Sequence, residues 1–277
     1  MKMMVLGSGQ DGGIPHTGCY CSACIRARRH KRRRRLAPSV AVCDEKGGAC
    51  YLVDASPDFK FQMDMIWTHI PLVKRVGKIP VSGILLTHAH YGHITGLLQL
   101  GKEVLNERGV PVFCTPAMSR FLSTSSPFNH LVEDGNIGIH EVRPAVMIEL
   151  GGISVTPIQV PHRNETADTV GYIIEAARRV AYIPDTDRWT DETLEEIRHC
   201  DTAIIDGTFY SSAEIPGYRD VPHPPIKETV DLLESASTEI YFTHINHTNA
   251  VNRRGREKRA IERLGFKIAY DGLTLSI

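Results

Sequence analysis

The sequence predicts an α/β (α+β) chain in which two β-sheets are covered by outer helices, and three observations carry that reading. Short apolar, β-rich runs recur along all 277 residues, stretches of helical apolar period lie between them in both halves, and no repeat or low-complexity linker divides the chain. With 42% hydrophobic and 23% charged residues the composition is ordinary for a globular protein, which excludes a disordered class. A single domain over residues 1–277 is expected.

The strands are expected at "MMVLGS", "SVAVCD", "CYLVDAS", "SGILLTHA", "VPVFCTP", "GIHEV", "VMIEL", "ISVTPIQV", "VGYIIEA", "RVAYIPD", "TAIIDGTF", "EIYFTHI", "KIAYDG" and "TLSI". Helical patterns cover 57–70, 93–107 (Ile94, Leu97, Leu98, Val104 and Leu105 on one face), 116–123, 190–199, 225–236 and 256–264. In "TDETLEEI" Thr190 is placed to cap the amide of Thr193, with acidic side chains at the positive helix end.

The opening "MKMMVLGSG" is too short for a signal h-region, and no window approaches the roughly 18 apolar residues of a membrane span, so a soluble, cytoplasmic protein without membrane partners is expected. Formal charge is zero, yet "RARRHKRRRR" (Arg26–Arg35) carries eight of the 32 Lys and Arg. A charge block alone reads first as a solvated loop, which makes a nucleic-acid partner unlikely. Of seven cysteines, three cluster in "CYCSAC" (Cys19, Cys21, Cys24), a grouping that favours metal over disulfides in such a chain. Cys43, Cys50, Cys114 and Cys200 sit singly in apolar stretches and read as small buried hydrophobes.

Strand ends are where ligands converge in layered α/β folds, and here they carry histidine and aspartate. "GILLTHAHYGH" gives His88, His90 and His93, "TPIQVPH" gives His162, "VAYIPD" gives Asp185, "IYFTHINH" gives His244, and "CYLVD" gives Asp54. His88, His90 and His162 would form one three-nitrogen metal site; His93, Asp185 and His244 would form a second, with Asp185 able to bridge. Imidazole suits zinc or iron, and an open position on such an ion lowers the pKa of water from 15.7 to about 7. Asp54 suits a carboxylate that fixes the tautomer of His88 or His90, or a plain strand-end turn.

The His-x-His-x-x-His triplet with its later His, Asp and His resembles the metallo-β-lactamase superfamily, which implies an αβ/βα sandwich of two mixed β-sheets with outer helices. The superfamily's usual triplet reads His-x-His-x-Asp-His, whereas this chain has Gly92 at the aspartate position, so the second site is expected to bind its ion more weakly. Tyr91 and His247 are the side chains most able to replace that carboxylate. "MMVLGSGQDGGIPHTGCYCSAC", "LVDASPDFKFQM", "TGLLQL", "IIDGTFY" and "HINHTNAVN" with "ERLGFKIAYDGLTLSI" are similar to the pyrroloquinoline quinone biosynthesis protein B family. That resemblance implies an iron-dependent oxidation of a peptide-derived tyrosine intermediate. It also implies a structural zinc on Cys19, Cys21 and Cys24, a knuckle at residues 19–24, with His223 of "DVPHPPIKETV" as the expected fourth ligand. Members of the family commonly lack the His-x-His pair that this chain keeps.

The leading expectation is therefore a metallo-hydrolase acting on a small, anionic phosphoester or another ester or amide, with Asp185, His244 and Asp54 taking part in the chemistry. Iron-dependent oxidation is the alternative, and a non-catalytic metal or ligand carrier the third. The expected cofactors are one structural Zn2+ and one or two ions of Zn2+, Fe2+ or Mn2+ at the active site; self-association as a homodimer stays open.

Overall fold

Fourteen strands form among the described residues, one at each apolar run named above, and they divide into two seven-stranded mixed sheets. The computed structural model describes residues 1–44, 48–70, 79–214, 222–253 and 255–277. The first sheet has the order β14 (Thr274–Ser276), β1 (Lys2–Gly7), β2 (Ser39–Cys43), β3 (Cys50–Val53), β4 (Gly83–Leu85), β5 (Val110–Cys114) and β6 (Ile137–Glu141). The second runs β13 (Lys267–Ile268), β12 (Glu239–Thr243), β11 (Thr202–Asp206), β10 (Arg179–Ile183), β9 (Val170–Glu175), β8 (Ile153–Gln159) and β7 (Ile148–Leu150). In each sheet one half is parallel and the other antiparallel: β3 to β6 pair in parallel, as do β10 to β13.

Side-chain alternation along the strands builds three apolar layers. Met3 and Val5 of β1 meet Val155, Tyr172, Val180 and Tyr182 between the sheets. Met4 and Leu6 point the other way, onto a layer closed by Phe59, Ile66, Leu97, Met118 and Leu122. On the far side Ala181, Ile183, Ile205 and Phe242 pack against Leu194, Ile197, Ile226, Val230 and Ile261. Helix, sheet, sheet and helix thus stack as the αβ/βα sandwich expected.

The helices are α1 (Ser22–Arg29), α2 (Phe59–His69), α3 (Tyr91–Ile94), α4 (Pro116–Thr124), α5 (Phe128–Glu133), α6 (Asp191–Arg198), α7 (Ile226–Leu233) and α8 (Arg256–Arg263). Thr190 accepts from the Thr193 amide at 3.2 Å, as its sequence position predicted, and Thr115 caps α4 through the Met118 amide ahead of Pro116. Three expectations are corrected. The helix expected at 93–107 stops as the short α3 and a 3-10 turn at Thr95–Leu100, leaving Val104 and Leu105 exposed. Gly96 is the reason: its amide donates to the Ala55 carbonyl at 2.8 Å, and a Cβ there would strike the Ser56 carbonyl, so the chain is pinned to the β3–α2 loop. The basic strap is not simply loop, since Arg26–Arg29 complete α1. Cys43 and Cys50, facing each other across β2 and β3, are joined as a disulfide.

The strap ends in a polar anchor that fixes the loop after β1. Arg35 donates to the Ser8 hydroxyl at 2.7 Å and to the Ala269 carbonyl at 2.6 Å, while Asp271 accepts from the Ser8 amide and hydroxyl and from the Leu36 amide. Burial pushes the Asp271 carboxyl up to about 6, against the pull of those donors and of Arg35. A carboxyl raised in the folded chain adds stability below its unfolded pKa of about 3.9, and that contribution is lost as pH rises through the folded value. Asp271→Asn removes the titration, so denaturant midpoints should favour wild type over the variant more strongly at pH 4 than at pH 7; parallel midpoints across that window would contradict this.

Candidate metal centre

The residues singled out at strand ends meet at one end of the sandwich, because β3, β4, β8, β10, β11 and β12 all finish there. Asp54 follows β3, His88 and His90 follow β4, His93 lies in α3, His162 follows β8, Asp185 follows β10, Asp206 closes β11 and His244 follows β12. Asp185 is at the middle. Its Oδ2 lies 3.2 Å from His162 Nε2, 3.4 Å from His88 Nε2, 3.6 Å from His244 Nε2 and 3.9 Å from His90 Nδ1.

The ligand atoms fall into overlapping groups, each within 4.8 Å: His88, His90, His162 and Asp185; then Asp185, Asp206, His223 and His244; then Asp11, His93 and His244. Asp11 was not singled out from the sequence. Its Oδ1 lies 3.4 Å from His93 Nε2 and 3.6 Å from His244 Nε2, and the available signal was its place in the glycine-rich "GSGQDGG" directly after β1. Tyr91 is exposed at the rim of the cleft, and His247 lies elsewhere, so neither stands where the missing carboxylate would be.

Each buried imidazole is held by its other nitrogen. His93 Nδ1 donates to Asp54 at 2.7 Å and His162 Nδ1 to Asp187 at 2.9 Å. Two further imidazoles use a hydroxyl relay: the Thr87 hydroxyl donates to Asp54 and accepts from His88 Nδ1 at 2.9 Å, and the Thr208 hydroxyl donates to Asp206 and accepts from His244 Nδ1 at 2.8 Å. This tautomer leaves the Nε2 lone pairs of His88, His93, His162 and His244 aimed inward. Among the described residues, His88 Nε2, His93 Nε2, His244 Nε2 and Asp11 Oδ1 are buried with no hydrogen-bond partner. Buried polar atoms are ordinarily paired, and inward lone pairs facing carboxylates are the donor set of a cation, so the residues fit a metal centre.

Charge follows the same geometry. Burial would raise the Asp185 pKa, but His244, His162, His223 and His88 hold it well below the usual carboxylate range. Burial depresses His93, yet Asp54 and Asp11 more than offset this and push it up to about 10. Asp54 and His244 both sit at positive φ, 65° and 57°, a backbone cost that places strain at the centre.

His223 was expected among the cysteines, and the structure puts it beside Asp185, Asp206 and His244 instead. Its Nδ1 lies 2.8 Å from Asp206 and 3.1 Å from Asp185, and its ring lines a cleft of about 490 Å³ with Gln10, Arg163 and Phe209. Asp206, Asp185 and His244 surround it within ligand distance, but the Nδ1–Asp206 bond reads as orientation. The histidine beside Cys19, Cys21 and Cys24 is His247, with Nδ1 3.4 Å from Cys19 Sγ and 3.6 Å from Cys21 Sγ. All four atoms lie within 4.8 Å of one another, compatible with a closed tetrahedral zinc whose Zn–S bonds are about 2.3 Å. The physical reason is topological: the β12–α8 loop that carries His247 pairs with the N-terminal loop through the Gly9–Ile245 bridge, whereas His223 precedes α7 in front of Asp206.

The family whose model matches residues 50–245 is described as the Beta-lactamase superfamily domain. Coenzyme PQQ synthesis protein B of Methylobacterium radiotolerans is 31% identical over 315 residues, covering all of both chains. Its counterpart in Rhizobium meliloti is 29% identical over 306 residues, covering 100% of this chain and 98% of that one. Among solved structures, Zn(2+)-bound PqqB from Methylobacterium extorquens matches with a TM-score of 0.86 at 27% identity and full coverage of both chains. A diphosphatase from the PhnP family matches with a TM-score of 0.74 at 26% identity, covering 99% of this chain and 96% of that one. With the superfamily pattern over most of its length and a full-length relative above 30% identity, the chain belongs to the metallo-β-lactamase superfamily and, within it, to the coenzyme PQQ synthesis protein B family.

Proposed function

We propose that the chain is a metal-dependent hydrolase of a small anionic substrate, a phosphoester or phosphoanhydride foremost. The observation that carries this is Asp185, shared between two facing sets of imidazoles at the floor of an open cleft. His88, His90, His162 and Asp185 would hold one ion, and His93, His244 and Asp185 take part in the second. Ions there would polarise the substrate oxygen and lower the pKa of water from 15.7 to about 7. Asp54 and Asp206 keep the imidazoles in the tautomer that faces inward, so their part is positioning. Arg163 at the cleft rim offers a cation to the anionic group. With Nδ1 of His223 donating to Asp206, its Nε2 is free to donate a proton to the leaving oxygen. The match to a diphosphatase supports the choice of phosphorus esters.

The full-length match to coenzyme PQQ synthesis proteins favours a second reading, in which the same imidazoles hold ferrous iron and the reaction is an oxidation by dioxygen. Anaerobic reconstitution separates the two: hydrolysis proceeds without dioxygen and with zinc, whereas substrate-dependent dioxygen uptake with iron alone would reverse the ranking.

Metal-reconstituted protein should turn over at least one probe among phosphodiesters, phosphoanhydrides, lactones and thioesters, and His88→Ala and His162→Ala should reduce it to background; absence of any such turnover would overturn the proposal. His223→Asn should lower kcat by about 10²–10⁴-fold with zinc content unchanged, while His247→Asn should lose one zinc by elemental analysis; loss of zinc from the first variant and not the second would restore His223 to the cysteines. Asp54→Asn should weaken ion affinity at the centre by about 10–100-fold, measured by competition with a chelator.

A further inference from the structure

The geometry points to Asp11 as the carboxylate ligand of the second metal site, occupying from the N-terminal loop the coordinating space that Gly92 leaves open. This rests on the two-ion reading of the centre. Gly92 lies in the helical turn that carries His93, and a Cβ built on it would collide with the Asp11 carboxylate, reaching within 2.5 Å of Asp11 Cα and 2.8 Å of its Cβ. Residue 92 with any side chain and Asp11 in its present place are therefore mutually exclusive. The carboxylate that comes in is directed at the right atoms: Oδ1 faces His93 Nε2 at 3.4 Å and His244 Nε2 at 3.6 Å, and all three atoms are buried without a hydrogen-bond partner among the described residues. His93 and His244 are themselves fully buried. An anionic oxygen and two imidazole nitrogens meeting in this way are three ligands for a zinc-like ion.

The loop that brings Asp11 there is tied down on both sides. Ile245 donates its amide to the Ser8 carbonyl at 2.9 Å, Gln10 donates to the Ile245 carbonyl at 3.2 Å, and the Gln10 side chain meets Asn246. Asp271 and Arg35 hold Ser8 as described, and the Cys19, Cys21, Cys24 and His247 cluster joins the same two loops a few residues further on. Asp11 and His244 are thereby fixed relative to each other by contacts that do not involve the centre. The chain has moved its carboxylate from the helical turn to the loop and kept its count of ligands. It also follows that Gly92→Asp alone gains no ligand, because Asp11 already fills the space.

The test is zinc stoichiometry by equilibrium dialysis and elemental analysis on the full chain, comparing wild type, Asp11→Asn, Gly92→Asp and the exchange double variant Asp11→Gly with Gly92→Asp. Wild type should hold three zinc ions, one on the cysteines and two at the centre. Asp11→Asn should bind the second central ion at least tenfold more weakly, and the exchange variant should regain it. Retention of both central ions by Asp11→Asn with wild-type affinity overturns the assignment while leaving the two-ion reading intact; a wild-type chain that holds fewer than two central ions overturns both. Should Asp11→Asn lose near-UV circular dichroism, the exchange variant decides alone: fewer than two central ions in it counts against the assignment.

Discussion

Asp185 makes one end of this sandwich a buried anionic point that favours positive charge around it. Four imidazole nitrogens crowd within 3.2–3.9 Å of one of its oxygens, and the three Nε2 atoms among them are oriented by second hydrogen bonds so that they present lone pairs. Lone pairs facing a carboxylate repel each other in a medium of low dielectric. Protonation of some imidazoles relieves that repulsion in part: burial depresses His162, yet Asp185 and Asp187 push it above its ordinary value, and a cation bound among the nitrogens would relieve the repulsion further. The remainder of the fold is arranged around this constraint.

The arrangement is supported from outside the centre. Two parallel half-sheets deliver their carboxyl ends to one edge, and paired relays, Asp54 with Thr87 on one sheet and Asp206 with Thr208 on the other, repeat the same device across the sandwich. Left-handed backbone at Asp54 and His244 shows local strain accepted where ligands and their partners must point inward. The cysteine cluster and the Gly9–Ile245 bridge join the loop of His244 and His247 to the amino-terminal loop, away from the cleft. His223 and Arg163 line the cleft, where the proposed reaction would use them as proton donor and cation.

Much of this was legible in the sequence, and the failures have a common cause. Every strand was marked by an apolar run, most fully in inner strands such as β2 and β11 that are buried at every position, and the candidate ligands at 88, 90, 93, 162, 185 and 244 announced themselves as histidines and an aspartate at strand ends. What periodicity could not convey was which loops meet. His223 and His247 are both histidines in proline- or asparagine-rich loops, and only the Gly9–Ile245 bridge reveals that the second reaches the cysteines. Asp11 was hidden for the same reason: nothing local says that a glycine-rich turn after β1 folds into the space above Gly92. The helix drawn through 93–107 failed at Gly96, where a close backbone approach overrode a good apolar pattern. The disulfide at Cys43 and Cys50 depended on strand register, which spacing alone does not define.

The central claim is that Asp185 lies between two ions. Anomalous diffraction from crystals of the zinc- or manganese-loaded protein tests it directly. The account predicts two anomalous peaks sharing Asp185 as ligand, one bounded by His88, His90 and His162 and the other by His93 and His244. Density without an anomalous peak in contact with Asp185, in crystals that show zinc on Cys19, Cys21, Cys24 and His247, would contradict it.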